Sequence, residues 1–395
     1  MREVSPDDKR VVKPRTLFWE RLLLSGESSL RVFLDHAAKS DELGEGAFSF
    51  LPRLKFHADE VEHVGLVPLP RLDEEREREL AAIVGRSVAL FTWLGAADLH
   101  WENLALGLDH EGRIVFAPLD IEMLLADLSL PTETKLVADA DPEVADVCRH
   151  AAGLRRVLPF LGKPVAIADL LAIVSAYGAT LRFLDRHAKD IAKILSEISG
   201  LREAPLRVLL RGTDEYVRAL TPSARADLWP PLLGEELAQM DRGDIPYFFR
   251  LYGQPGIHAF ANEELTERLT LPRDGDVPQL DPMLSIEKHL RSPTRKRLRE
   301  EGVFVLIGAF DDASFEGTHT NGAVEIVFKR RSIRVTFANG EELETRRDMR
   351  AFVGSLYLPC TCGEVRSVLV PKRTRCDASR LTRTRTKSVV RKRKP

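Results

Sequence analysis

The residues Asp98-Leu99-His100-Trp101-Glu102-Asn103 are followed by an apolar run over 104–108 and then by Asp109-His110-Glu111-Gly112. A second apolar run leads to Leu119 and to Asp120-Ile121-Glu122. Two short apolar runs on either side of an Asp/Gly-containing turn predict an antiparallel hairpin. With Leu108 opposite Arg113, Asn103 falls opposite Pro118 and Asp120 lies just beyond, so an amide oxygen and a carboxylate share the open end. Such oxygens suit Mg²⁺, a hard cation that usually shares its shell with substrate phosphates. Asp98, before Asn103 in the chain, is placed to act as a base toward a hydroxyl nucleophile. An Asp near the attacking hydroxyl, an Asn for metal after it and a second metal-holding Asp beyond a hairpin is the arrangement of kinase-type phosphoryl transfer. His100 is a candidate for proton handling, because imidazole titrates near neutrality, and could equally orient Asp98. Glu122 would support the metal site. Any one of these residues could instead belong to a polar loop, and only the ordered set points to chemistry.

That ordered set, D-x-H-x-x-N followed by D-x-E at Asp98, His100, Asn103, Asp120 and Glu122, resembles the dehydratase domain of class II lanthipeptide synthetases (LanM type). The core of that domain is a remodelled lipid- or protein-kinase-like fold. Three other segments are similar, in the same chain order. Val12-Lys13-Pro14-Arg15 resembles the family's Y-K-P-R segment, with Val12 in place of the aromatic residue. The resemblance gives Lys13 the task of neutralising ATP phosphates, which a compact ammonium suits. The segment from Arg207 through Arg211 and Thr213 to Tyr216 is similar to R-x-x-x-R-x-T-x-x-Y, whose first Arg and Thr the family needs for phosphate elimination. Read as extended chain, 206–213 puts Arg207 and Thr213 on one face; a helix would turn them apart by about 120°. An Arg pair beside an acidic helix is otherwise a common surface salt-bridge cluster. Finally, Gly243-Asp244-Ile245-Pro246-Tyr247-Phe248 resembles a G-D-I-P-x-F segment that closes a helix and turns the chain.

The resemblance implies an α+β protein with a kinase-like dehydratase core and a mainly helical C-lobe, to which strand and turn signals beyond it add a small β-rich C-terminal segment. It implies an enzyme that uses ATP and Mg²⁺ to phosphorylate Ser or Thr of a precursor peptide carrying a leader, and then eliminates phosphate to give dehydroalanine or dehydrobutyrine. Ring closure would fall to a separate cyclase, because the chain has no Cys with a Cys-His pair for the cyclase zinc and no room for its helical barrel. One departure is the start: twelve residues precede Lys13, where the family has a long region with a further D-x-H element. Reduced phosphate-covering strands, a partner that supplies them, or a reading frame that starts late would each account for this. Two other readings stand beside the dehydratase. A kinase-like small-molecule phosphotransferase would need neither Arg207 nor Thr213, and a peptide- or nucleic-acid-binding remnant of the fold would need no Mg²⁺-dependent ATP site.

Composition sets the bounds. With 395 residues, 44% of them hydrophobic, the chain can bury a large core in one or two domains. No apolar run approaches the roughly 18 residues expected of a spanning segment, and the charged N-terminus lacks a signal-peptide apolar region. The expectation is a cytoplasmic protein with no membrane partner. Four cysteines at uneven spacing predict neither a disulfide framework nor a zinc site. The net charge of −2 hides an asymmetry, because residues 371–395 carry eleven Lys or Arg against the single Asp377. Such a segment reads as a disordered tail that could attract an acidic peptide or nucleic acid.

Periodicity supplies the remaining expectations. Helices are predicted over 17–24 and 30–39, and an acid-opened one from 73 to about 94 that delivers the chain through Gly95-Ala96-Ala97 into Asp98. Helices are also expected around 144–157, with one or two amphipathic helices in 165–198. Strands are expected at 303–310, 323–328 and 332–337, with turns at Asn321-Gly322 and Asn339-Gly340. The resulting division is a core over 1–250, a β-rich region over 251–370 and the basic tail over 371–395.

Overall fold

A computed structural model describes residues 3–4, 10–12, 16–57, 60–62, 65–137, 151–211, 213–221, 225, 234–241, 245–252, 254, 256–260, 268–270, 286–290, 292, 294–311, 314–347 and 356. The fold is mixed α+β. Two short strands, β1 (Glu3–Val4) and β2 (Arg10–Val12), precede helices α1 (Phe18–Leu24) and α2 (Ser29–Lys39). Strands β3 (Phe56–His57) and β4 (Glu60–Glu62) complete an antiparallel sheet in the order β1-β2-β4-β3. The long helix α3 (Glu74–Trp93) then leads to the hairpin of β5 (Leu104–Leu108) and β6 (Ile114–Pro118). A short helix α4 (Leu158–Leu161) precedes α5 (Ile167–Arg186) and α6 (Ala188–Glu197). Strand β7 (Pro205–Val208), helices α7 (Thr213–Ala219) and α8 (Gly234–Asp241), and strands β8 (Phe248–Leu251), β9 (His258–Phe260) and β10 (Arg268–Thr270) follow. The last described part runs through α9 (Ile286–Leu290), α10 (Thr294–Glu300) and α11 (Gly302–Phe310) to a meander of β11 (Gly317–Thr320), β12 (Val324–Phe328), β13 (Ser332–Phe337) and β14 (Glu342–Arg346).

Helix α3 forms because Asp73 caps it, accepting a hydrogen bond from the Arg76 amide at 2.9 Å, and because Glu74, Glu75 and Glu77 sit at the positive end of its dipole. Its second half is buried on nearly all sides, Ser87 and Thr92 included, as expected of a helix surrounded by protein. It packs along α5 so closely that a Cβ at Gly85 would overlap the Ile173 carbonyl oxygen. Helix α5 is long and apolar enough to cross a membrane, yet 61% of its apolar window is buried inside the protein, as befits a core helix. Trp93 at the end of α3 donates to Asp185 Oδ1 at 3.0 Å, joining the two helices at their C-terminal ends.

Most predicted helices are present with the expected bounds. The run at 303–310 is a correction: it is helix α11, with Tyr177 of α5 against Gly302 and donating to Leu298 O at 3.1 Å. An unbroken apolar run has no period, so a buried helix and a buried strand read alike there. Of the helices expected around 144–157, residues 138–150 lie outside the described residues, and Gly153–Arg156 is a 3₁₀ turn. The boundary expected at 250 falls inside β8, and residues 286–337 contribute Ile286, Leu306, Phe310 and Phe337 to the same hydrophobic core as Leu80, Val84 and Tyr177. By contacts the chain divides into residues 1–359 and 360–395, so the second unit, which holds the expected basic tail, lies outside the described residues.

Two measurable consequences follow from the α3–α5 contact. Gly85→Ala forces two helix backbones apart and should lower stability by about 1–3 kcal/mol, the usual cost of overpacking, read as a urea midpoint shift. Asp169, buried at the start of α5, has its carboxyl raised to about 6 by burial and by Glu77, against a smaller opposing effect of Arg78. A carboxyl raised in the folded state favours folding below its unfolded value of 3.8, and that contribution is lost as pH rises from there to about 6. Asp169→Asn should therefore stabilise the protein by on the order of 2 kcal/mol at pH 7–8 and have far less effect at pH 4, checked by melting at both values.

Candidate functional site

The site begins where α3 ends. Gly95 takes φ 68°, and a Cβ there would overlap the backbone of Ala126, so only glycine fits. The chain leaving it is bound to the segment after the hairpin: Leu125 N donates to Leu94 O at 3.0 Å, Ala126 N to Gly95 O at 3.1 Å and Ala97 N to Met123 O at 3.2 Å. These bonds bring Asp98 alongside the Asp120–Glu122 segment. The exit through Gly95, Ala96 and Ala97 is therefore tightly bonded.

The hairpin register differs by one residue from that expected. Leu108 pairs with Ile114 and Leu104 with Pro118, so Asn103 faces Leu119, whose N–H donates to Asn103 O at 2.7 Å. Asp109 sets this longer turn. Its Oδ1 accepts from the amides of Glu111 and Arg113, each at 2.9 Å, and its Oδ2 accepts from Arg113 Nε at 2.8 Å. Asp120 is now the residue next beyond the one opposite Asn103, so both remain at the open end.

Asp98 is the centre of the cluster. It adopts φ 65°, a left-handed conformation that non-glycine residues adopt at a cost. Its Oδ1 accepts from Lys135 Nζ at 2.9 Å, and its backbone carbonyl accepts from Asn103 Nδ2 at 2.9 Å. Burial alone would raise its carboxyl; Lys135 in particular, with His100 and Arg207, holds it below the ordinary value. His100 precedes a 3₁₀ turn, Trp101–Asn103, and its carbonyl accepts from the Asn103 amide at 2.9 Å.

Arg207 reaches the same place from 85 residues further along the chain. In β7 its amide donates to Glu122 O at 3.2 Å, and its guanidinium forms an ion pair with the Glu122 carboxylate. The guanidinium also lies over the Tyr247 ring, 5.3 Å from the centroid, and its buried Nε has no hydrogen-bond partner among the described residues. A planar cation fixed by a carboxylate and a ring, with a donor left over, suits an oxyanion with several acceptor oxygens. The extended reading of 206–213 is correct for β7 and gives way before Thr213, which opens α7. The Thr213 side chain and all of Lys13 lie outside the described residues.

The structure thus brings Asp98, His100, Asn103, Glu122 and Arg207 together, with Asp120 between Leu119 and Ile121 at the hairpin mouth. Three contributors were missed by sequence reasoning. Lys135 had no motif around it. Glu20 of α1, 2% exposed, accepts from the Ile121 amide at 3.4 Å and adds a buried carboxylate against the Asp120–Glu122 segment. Tyr247 holds the Arg207 plane, and its amide is fixed by Gln239 Oε1 at 2.7 Å. The second Arg of the 207–216 pattern also has a clear role: Arg211 Nε and Tyr216 OH both donate to Glu236 Oε1, at 2.9 and 2.7 Å. Burial, then the Glu236 carboxylate, push the Tyr216 hydroxyl well above its ordinary value.

Among the described residues no group of three or more His, Cys, Asp or Glu converges to hold a metal ion. Mg²⁺ does not require one, since it commonly takes one or two protein oxygens and completes its shell with water and phosphate. The Asn103 amide nitrogen is engaged with Asp98 O, which leaves its oxygen as the donor atom for a cation. Asn103 and Asp120, both at the open end of the hairpin, carry oxygen donors of the kind Mg²⁺ takes. No protein-family model and no curated protein matches the chain.

The Arg211–Glu236 pair is almost fully buried, so Arg211→Met leaves a carboxylate in the interior with one of its donors removed. Stability should fall by about 3–5 kcal/mol, measured by urea unfolding. Arg207→Met, whose partner Glu122 is 17% exposed and can be hydrated, should cost clearly less in the same measurement.

Proposed function

We propose that this chain is an ATP- and Mg²⁺-dependent peptide dehydratase with a kinase-like core, similar to the lanthipeptide enzymes whose motifs it carries. The observation that carries the reading is the ion pair of Arg207 with Glu122 beside Asp98. Residues of two distant motifs, one fitted to phosphoryl transfer and the other to phosphate departure, meet at one point. A protein that only transferred phosphate to a small molecule would have no need of the second motif.

In the first half-reaction Asp98 accepts the hydrogen of a Ser or Thr hydroxyl and orients its oxygen toward the γ-phosphorus of ATP. The new P–O bond forms as the bond to the ADP oxygen breaks, and the proton passes to Asp98. Lys13 neutralises the nucleotide phosphates. Mg²⁺, when bound, spreads the charge of the transferring phosphates; Asn103 and Asp120 would hold it, with Glu122 in support. In the second half-reaction the Cα proton of the phosphorylated residue is removed, a double bond forms between Cα and Cβ, and the Cβ–O bond breaks to release phosphate. Arg207 binds the departing phosphate with its planar fork, and the family's pattern gives Thr213 a part in the same elimination. His100 is the group proposed to take that proton, on an imidazole nitrogen. The peptide leader, and a separate cyclase acting on the product, complete the expected set of partners.

Incubation with ATP, Mg²⁺ and a peptide encoded beside the gene should give products lighter by water in a mass spectrum. Asp98→Asn should slow phosphorylation by about 10²–10⁴, the range for loss of a positioned base. Arg207→Ala should let phosphorylated peptide accumulate, a state that Asp120→Ala never reaches. Unmodified peptide together with ATP consumed on sugars or aminoglycosides would move the reading to a small-molecule phosphotransferase.

A further inference from the structure

We propose that Lys135 is a further catalytic residue of this site, the ammonium that binds the γ-phosphoryl group of the nucleotide as it passes to the peptide hydroxyl. The inference rests on the phosphoryl-transfer reading above and assigns it a group that none of the sequence motifs contains.

The argument starts from backbone strain. Among the described residues three non-glycine residues have positive φ, namely Asp98 at 65°, Leu125 at 59° and Lys135 at 67°. Two of the three are the partners of a single ion pair, 37 residues apart in the chain. Their backbones are locked together. Leu99 N donates to Thr134 O at 2.8 Å, and Gly153 N donates to Lys135 O at 3.1 Å. Thr134 Oγ1 donates to Pro131 O at 2.6 Å and accepts from the Leu136 amide at 3.0 Å, so the turn that presents Lys135 is rigid. A left-handed non-glycine residue is a sparsely populated, costly state, whereas a partly exposed ion pair returns little stability. The pair does not offset the strain that presents it, which points to a role other than stability.

Position supplies the role. The two side chains are 26% and 28% exposed, so the pair is reachable from solvent. One of the three ammonium donors is engaged with Asp98 Oδ1, and two remain for another acceptor. A hydroxyl hydrogen-bonded to the other carboxylate oxygen of Asp98 lies within reach of the same ammonium. The phosphorus it attacks, and the oxygens around that phosphorus, therefore approach Lys135 Nζ. Lysine serves here as a compact point charge on a phosphoryl oxygen. It takes no proton and leaves the balance of the transfer step unchanged: one P–O bond forms, one breaks, and the hydroxyl proton goes to Asp98.

The test compares a nucleotide that has a γ-phosphate with one that lacks it. The full chain and its Lys135→Met, Lys135→Gly and Lys135→Arg variants are titrated calorimetrically with the imido analogue of ATP and with ADP, both with Mg²⁺. Glycine relieves the left-handed strain while removing the charge, so a folding defect is not confused with a binding one. Met and Gly should weaken the ATP analogue by about tenfold, a typical loss for a hydrogen bond to a charged group, and leave ADP binding unchanged. Arg should restore most of the difference. A merely structural lysine would weaken both nucleotides together. If the wild type binds the analogue and modifies peptide while Met and Gly keep the wild-type ratio of the two affinities, the Lys135 assignment alone is overturned. If the wild type binds neither nucleotide, the assignment and the phosphoryl-transfer reading fall together.

Discussion

Everything at the site depends on a short backbone ladder. The chain leaving α3 at Leu94, Gly95 and Ala97 is hydrogen-bonded to Leu125, Ala126 and Met123, so the end of a buried helix and the segment after the hairpin behave as one rigid piece. Amide–carbonyl bonds of this kind each contribute modestly, on the order of 1 kcal/mol, but they are geometrically exacting. Gly95 is the point at which the ladder demands a residue without a Cβ. With that piece fixed, Asp98 and Glu122 cannot drift apart, and Arg207 completes the cluster by bonding to Glu122 through both backbone and side chain.

Charge is distributed across this piece in alternation. Asp98 faces Lys135, Glu122 faces Arg207, and Arg207 in turn helps to hold Asp98 ionised. Each carboxylate has its own cation, and each cation belongs to a different segment from its carboxylate. The arrangement keeps charged groups in a partly enclosed place without leaving any of these carboxylates unpaired, which is the condition under which such groups are tolerated. Glu20 extends the same principle inward, a buried carboxylate that accepts from the amide of Ile121.

What was legible in the sequence was what lies close together along it. Asp98, His100 and Asn103 lie within six residues, and the hairpin and the helices over 18–39, 74–93 and 167–197 announce themselves by the spacing of their apolar residues. The hairpin register was displaced because Asp109 accepts from two amides and widens the turn, a side-chain choice that the apolar pattern does not encode. The run at 303–310 was misjudged because it is apolar on every side and carries no period. Lys135 could not be found from its neighbours, since its meaning comes from a contact 37 residues away and from a left-handed backbone that lysine rarely adopts. Tyr247 was seen as part of a turn, whereas its ring is the surface on which Arg207 lies.

The shared core has a consequence for how the motif-bearing half of the chain can be handled or inherited. Tyr177 bonds to Leu298, and Gly178 is in close approach to Phe337, both on the helix that backs α3. A fragment ended at residue 250 would bare that flank of α5 around Tyr177 and Gly178, and exposed apolar surface recruits other molecules or drives aggregation. The motif-bearing half is therefore not portable. In recombination or domain grafting the meander would have to travel with the hairpin, although the two share no residue of the site.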